Sequence, residues 1–386
     1  MTASSTAGAL AGLSRHPSHT RGSVVLGGDG GTWAVHETVC HAAMARRLAD
    51  LLDADFAGHY VLGRSYPLPL YLVPSDVVVG LDTATAHGIH DASGLFGGVV
   101  PHAVVATKAI THPLVDRDAV APIGWSHEFP QDVAPVTLPG YSAFSREDAL
   151  RAGRRLLARG PVRLKPAQGR AGRCQQVVGD PAQLEAALAA MPPGEPGGSG
   201  LVLETDLLQA TTYSIGEVRV GAWTIAYHGT QRQTFDNRGE PTYGGSDLQV
   251  HRGSLDELSG RTRCAAVREA IARARHYDRA ARRCFPAMYA SRRNYDVVQG
   301  VDRHGTPRAG VLESSWRIGG ASAAEIAALL YFRDHPGCPH LHARSVERYG
   351  EGGEPPPGAD ILFRGTDPEE GMLLKYALVE AGYPAA

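Results

Sequence analysis

The segment Asn294–Ser322, NYDVVQGVDRHGTPRAGVLESSWRIGGAS, constrains the chain more than any other stretch. It reads as a β-hairpin with an acidic residue on each strand, Asp296 on the first and Glu313 on the second. Alternation along Gly310–Arg317 puts Glu313, Ser315 and Arg317 on one face, each two residues from the next. A carboxylate, a hydroxyl and a guanidinium on a common face are hard to attribute to core packing, and the competing reading is a solvated sheet face. Two carboxylates on neighbouring strands make a seat for a hard cation such as Mg²⁺. An arginine beside them suits a reaction that moves phosphate charge.

Composition narrows the classes. The 386 residues suggest two or three lobes with ample core. A formal net charge of −2 implies neither a nucleic-acid-binding surface nor an acidic tail. Five widely spaced cysteines, with no CxxC, fit a reducing cytoplasm better than a disulfide framework. No apolar run reaches membrane-spanning length. Residues 1–22 lack the charged and apolar regions of a signal peptide and read as a flexible arm. Of the 38 Lys and Arg residues only three are lysine: Lys108, Lys165 and Lys375. A GC-rich coding sequence explains the bias but not where the survivors sit.

In chain order, Ser23–Gly27 reads as a buried strand, followed by a glycine turn and a helix over Val35–Leu52. The turn is not G-x-G-x-x-G, so a ligand-free turn is the simpler account. Strands are expected at Tyr60–Leu62 and Tyr71–Val79, and residues 23–115 form a Rossmann-like lobe. Ser145 caps a helix running to Arg159, and Asp180 caps another over Pro181–Met191. Pro161–Val178 reads as strand, glycine loop, strand, and Gly200–Thr205 as a buried strand. Thr212–His228 gives two strands around Gly221, and Thr234–Gly245 reads as a mobile loop. Helices are expected over Leu255–Cys284, Ala321–Phe332 and Gly371–Ala381. The fold class is α/β, turning α+β in the C-terminal part.

Lys165 ends a strand just before a loop carrying Gly169 and Gly172, where backbone N–H groups and an ammonium could meet polyphosphate. A surface hairpin with an incidental lysine is the competing account. Glu204 ends an apolar strand, with Leu207 close behind, in the manner of a segment bordering an adenine slot; alone, it reads as a solvated strand end. His335, Cys338, His340 and His342 could ligate zinc, but they match no finger spacing, and chance clustering among 17 histidines is favoured.

Lys108, Lys165 with its glycine loop, Glu204, Asp296, Glu313 and Arg317 come in an order and spacing that resembles the ATP-grasp superfamily, which includes carboxylate–amine ligases and biotin carboxylase. The chain also looks like an uncharacterised bacterial family within it. The resemblance covers Lys108 to Ser322 and implies three lobes: the Rossmann-like one, a linker and lid subdomain over residues 116–205, and a C-terminal lobe with the metal site over residues 206–386. It implies that Lys108 and Lys165 hold ATP phosphates, that Gly169 and Gly172 belong to the lid loop, and that Glu204 and Leu207 flank adenine and ribose. Asp296, Glu313 and Ser315 would bind Mg²⁺, or Mn²⁺ in its place, and Arg317 would serve catalysis. Gln231, Arg232 and Gln233 could reach the γ-phosphate or substrate.

One position departs from the pattern: Ser315 stands where the superfamily usually has Asn in Glu-x-Asn-x-Arg. The implied activity is ATP- and Mg²⁺-dependent activation of a small carboxylate as an acyl-phosphate for attack by an amine or other nucleophile. It would take place in the cytoplasm, with neither nucleic acid nor membrane as partner and with a homodimer left open. The alternative is a catalytically degenerate ATP-binding protein acting as a sensor or partner. A biotin-dependent carboxylase component is disfavoured, because no lysine sits in an Ala-Met-Lys-Met context.

Overall fold

The computed structural model describes residues 21–27, 34–169, 175–192 and 194–381. The N-terminal arm up to residue 20, the turn at 28–33, Gly172 and Cys174 lie outside the described residues. The chain opens with β1 (Ser23–Gly27), α1 (Val35–Leu51), β2 (Asp55–His59) and β3 (Leu70–Pro74). β1 is parallel to both neighbours, in the order β2-β1-β3. It is buried along its whole length, as its apolar run requires when α1 covers the sheet. The strand expected at Tyr60–Leu62 lies earlier, over Asp55–His59. β4 (Val78–Val79), α2 (Leu81–Ala86) and β5 (Gly98–Val100) follow, and then 3₁₀ turns lead to Lys108. α3 (Glu128–Val133) packs against the long helix Ala265–Cys284, with Phe129 on Tyr277 and Phe285.

A second unit is built from β6 (Gly140–Ala143), α4 (Arg146–Leu157), β7 (Val162–Pro166), β8 (Gln176–Val178), α5 (Pro181–Ala189) and β9 (Leu201–Thr205). Its sheet is antiparallel, ordered β6-β9-β7-β8. The caps read from the sequence are present. The Ser145 hydroxyl accepts from Asp148 N at 3.0 Å, and the Asp180 carboxylate accepts from Gln183 N at 2.9 Å. α4 and α5 pack so closely that a Cβ at Gly153 would lie 2.4 Å from Leu184.

The rest of the chain forms one antiparallel sheet of eight strands, ordered β15-β14-β10-β11-β12-β16-β18-β17. Its strands are β10 (Leu208–Val220), β11 (Trp223–Phe235), β12 (Pro241–Arg252), β14 (Arg292–Val301), β15 (Pro307–Ser315), β16 (His340–Tyr349), β17 (Asp360–Asp367) and β18 (Gly371–Ala381). β13 (Tyr289–Ala290) leaves for a small sheet with β5 and β4. α6 (Leu255–Leu258), α7 (Ala265–Cys284) and α8 (Ser322–Asp334) cover the large sheet, and α1 packs on α8 and β17.

Three expectations are corrected here. Gly371–Ala381 is a strand rather than a helix: it runs between β16 and β17 and pairs with both. Its Leu, Ala, Lys and Glu content favours helix only weakly, and ladder pairing overrides it. Thr234–Gly245 is the tip of the β11–β12 hairpin rather than an irregular loop, with pairing out to Phe235 and Pro241. The helix read over Leu255–Cys284 is broken into α6 and α7 by a 3₁₀ turn at Ser259–Arg261 and the non-helical residues before Ala265.

Candidate active site

A single cleft of about 1100 Å³ collects most of the residues singled out in the sequence. Lys165, Glu204, Leu207, Asp296, Glu313, Ser315 and Arg317 all line it. Lys108 joins them through Glu313, and Gly169 through Lys108.

The hairpin reading holds in register. Asp296 and Glu313 are direct cross-strand partners, and Asn294 and Ser315 are the next such pair on the same face. Two carboxylates and two neutral oxygen-bearing side chains thus form a square. Asp296 is half-buried; it accepts from Ser214 Oγ at 3.1 Å and from Gln231 Nε2 at 3.0 Å. Burial, together with the Glu313 charge opposite, pushes the Asp296 carboxyl up to about 6. Lys108, almost fully buried, places Nζ 2.6 Å from Glu313 Oε2 and donates to the Gly169 carbonyl at 2.8 Å. One ammonium therefore ties the hairpin to the glycine turn of the four-stranded unit. Arg317 leaves the end of β15; its Nη1 donates to Ile318 O at 2.9 Å, and its Nε lies 3.8 Å from Asp76 Oδ1. Gly320 is glycine for a steric reason: a Cβ there would lie 2.5 Å from the Tyr243 ring.

At the other end, Lys165 and Glu204 face each other from paired strands and form a buried ion pair. The other carboxylate oxygen of Glu204 lies 3.2 Å from His112 Nε2. Burial alone would raise the Glu204 carboxyl, but Lys165 and His112 outweigh it and hold the group at about 2. Beside this pair, Leu138, Leu207 and Val298 form a small apolar cluster of their own, with Leu312 against it, and all four line the cleft. This is an apolar slot between the strand carrying Glu204 and the β14–β15 hairpin.

The donor set between the strands fits a hard divalent cation of the Mg²⁺ type, which takes few protein ligands and keeps waters and substrate oxygens. Two carboxylates face each other, with hydroxyls at Ser214 and Ser315 and a carboxamide at Asn294 nearby. Among the described residues, no group of three or more His, Cys, Asp or Glu converges as a metal site. In the His335–His342 stretch, His335 stacks on Tyr331, and His342 pairs with Asp247 and Glu380.

Sequence reasoning missed Asn294 and Ser214, whose importance rests on strand register, and His112, which carried no local signal. It also left Lys375 without a place, although the rarity of lysine pointed to it.

A family profile described as "Protein of unknown function (DUF3182)" matches residues 25–377. A search of curated proteins finds no match. Among solved structures, the chain is similar to D-alanyl-alanine synthetase A from Vibrio cholerae at 10% identity and a TM-score of 0.51, covering 82% of this chain and 94% of that one. It is also similar to biotin carboxylase from Campylobacter jejuni, at 11% identity and a TM-score of 0.49 over 94% and 88% of the two chains. A further likeness is to N5-carboxyaminoimidazole synthase from Aspergillus clavatus, at 12% identity and a TM-score of 0.49 over 94% of each.

Proposed function

This chain belongs to the DUF3182 family and has the ATP-grasp fold, and from that premise we propose that it is an ATP- and Mg²⁺-dependent ligase that activates a carboxylate as an acyl-phosphate. The observation that carries the reading is the arrangement of one cleft. An apolar slot and the Lys165–Glu204 pair stand at one end, and the Asp296–Glu313 carboxylates with Lys108 and Arg317 at the other. A nucleotide needs the first end for its base and the second for its phosphates.

In this reading Leu138, Leu207, Val298 and Leu312 clasp adenine, and Glu204 with Leu207 borders the ribose. Lys165 and Lys108 exchange part of their contact with glutamates for phosphate oxygens. Asp296, Glu313 and Ser315 would hold Mg²⁺, whose charge offsets that of the polyphosphate. The carboxylate oxygen of the substrate attacks the γ-phosphorus, the bond to the β-phosphate oxygen breaks, and ADP leaves. Arg317 stabilises the charge on the transferred phosphoryl group. The incoming amine then attacks the acyl carbon, phosphate departs, and the amine proton passes to solvent. Lys108, which bonds Gly169, holds the glycine turn over the phosphates and helps to exclude water.

Ser315 favours a second reading, in which the site binds ATP without turnover. Asn294 weighs against it, because it supplies a carboxamide directly opposite Ser315 on the same face. The two readings separate when purified protein with ATP and Mg²⁺ is screened against pools of carboxylates and amines. Release of ADP and phosphate with one pool supports the ligase; tight ATP binding without release in every pool supports the second reading.

A further inference from the structure

Each of the three lysines is paired with a glutamate, and all three glutamates line the same cleft: Lys165 with Glu204, Lys108 with Glu313, and Lys375 with Glu347. Elsewhere among the described residues, ion pairs use arginine or histidine, including the deeply buried Arg292–Glu325 and Arg293–Glu217. Arginine's rigid fork is the better structural partner for a buried carboxylate, whereas a lysine ammonium can exchange one oxygen for another with little geometric constraint. The first two pairs stand at the two ends of the proposed nucleotide site. The third lies beyond it and has no part in that chemistry.

Lys375 on β18 and Glu347 on β16 are direct cross-strand partners, with Nζ 2.9 Å from Oε2. Their side chains are 12% and 16% exposed, and both face the cleft. Burial would lower the Lys375 ammonium's pKa, but the Glu347 carboxylate outweighs this and keeps it above its ordinary value, so the lysine is charged at neutral pH. Cys40 of α1 borders the pair. Its thiol is pushed up to about 12, chiefly by burial, so it is a wall rather than a nucleophile. The pair lines the same cleft as Asp296 and Glu313, from the other side of the large sheet. Between them in the lining of the cleft, on β12, the Tyr243 hydroxyl bonds to Ser246 at 2.6 Å and Ser345 at 3.0 Å.

We propose that Lys375 and Glu347 form the subsite for the zwitterionic head of an α-amino acid, either free or at the end of a larger substrate. Its carboxylate meets Lys375 and its ammonium meets the free oxygen of Glu347. The two charges of such a head sit about one hydrogen bond apart, as those of the protein pair do, so the four groups close a ring of alternating charge. A ligand bearing only one of the charges leaves the other protein group without a new partner. The inference rests on the ligase reading for its place in the reaction, but not for the binding itself.

The test is the melting temperature of the intact protein with each common α-amino acid, with and without ATP and Mg²⁺. The matching amines and carboxylic acids, each lacking one charge, serve as controls. At least one amino acid is expected to raise the melting temperature by a few degrees, with neither single-charge analogue matching it. Lys375→Met and Glu347→Gln should each weaken that binding by at least about tenfold while the shift caused by ATP persists. The double variant Lys375→Met/Glu347→Met removes both buried charges together and so avoids leaving one orphaned; it should stay folded, bind ATP and lose the amino-acid shift. If no amino acid binds while ATP does, or if the double variant binds the amino acid as the native chain does, the subsite is wrong. If ATP fails to bind, the ligase reading fails instead, and the amino-acid shift is read independently.

Discussion

Arg292 and Glu325 form a two-point ion pair beneath the hairpin end of the cleft, Nε to Oε2 at 2.7 Å and Nη2 to Oε1 at 2.8 Å, with side-chain exposures of 2% and 0%. The remaining nitrogen of Arg292, Nη1, donates to the Arg317 carbonyl at 2.6 Å and the Ser315 carbonyl at 3.4 Å. Glu325 also accepts from the Tyr227 hydroxyl at 2.6 Å, and that hydroxyl accepts from Asn294 Nδ2 at 3.0 Å. One buried network therefore holds the backbone that carries Ser315 and Arg317 and orients the side chain of Asn294.

Breaking this pair should damage both stability and function. Glu325→Gln leaves a buried guanidinium without its charge partner and should cost about 3–5 kcal/mol in denaturant unfolding. Arg292→Lys keeps the charge but loses the fork and the contacts to the two carbonyls. It should cost about 1–2 kcal/mol in stability while lowering ADP release more than it weakens ATP binding.

At the hairpin itself, Glu313→Gln removes one of the facing carboxylates and should abolish ADP release while leaving a folded protein. Unchanged turnover would remove Glu313 from the site. Ser315→Asn should tighten Mn²⁺ binding, read by electron paramagnetic resonance. Asn294→Ala should weaken it several-fold, since the carboxamide opposite is lost.

Acid stability should follow two histidines of the large sheet. His228 and His251 stack at 6.2 Å, with His340 next in the row at 5.6 Å from His251. Burial lowers both His228 and His251 from 6.5 to about 4, and neighbouring positive groups add to the effect at His251. The unfolded chain therefore binds more protons between these values. Stability is complete above pH 6.5 and falls as the pH drops toward 4. The double variant His228→Gln/His251→Gln should show a flatter melting-temperature profile across this window, by a few degrees at its acid end.

Glu204 acts in a lower window. Its folded value lies at about 2 against an ordinary 4.5, so the stability it contributes is present above 4.5 and is lost as the pH falls through 2. Glu204→Gln should lower stability at neutral pH and remove that part of the acid transition, as followed by circular dichroism.

Much of the hairpin end of the cleft was legible in the sequence because it rests on the period of a β-strand. Asp296, Glu313 and Ser315 lie in one hairpin, and alternation alone assigns a common face to the last two, with Arg317 just past the end of β15. The capped helices α4 and α5 were legible for a similar reason: Ser145 and Asp180 act on residues three positions away. What stayed hidden depends on long-range register. Asn294 matters because it stands opposite Ser315, and Lys375 because β18 pairs with β16. The strand β18 was read as a helix because its apolar residues have no clean period of two. A strand held between two others, and packed in part on both faces, does not need one.

The central claim is that one cleft holds ATP between the Lys165–Glu204 pair and the Asp296–Glu313 hairpin. Calorimetric titration of the protein with ATP in Mg²⁺, alongside Lys165→Met and Asp296→Asn, tests it most directly. The account expects one-site binding to the native chain, weakened at least about tenfold by either substitution at opposite ends of the cleft. Absence of ATP binding, or binding that neither substitution alters, would contradict it.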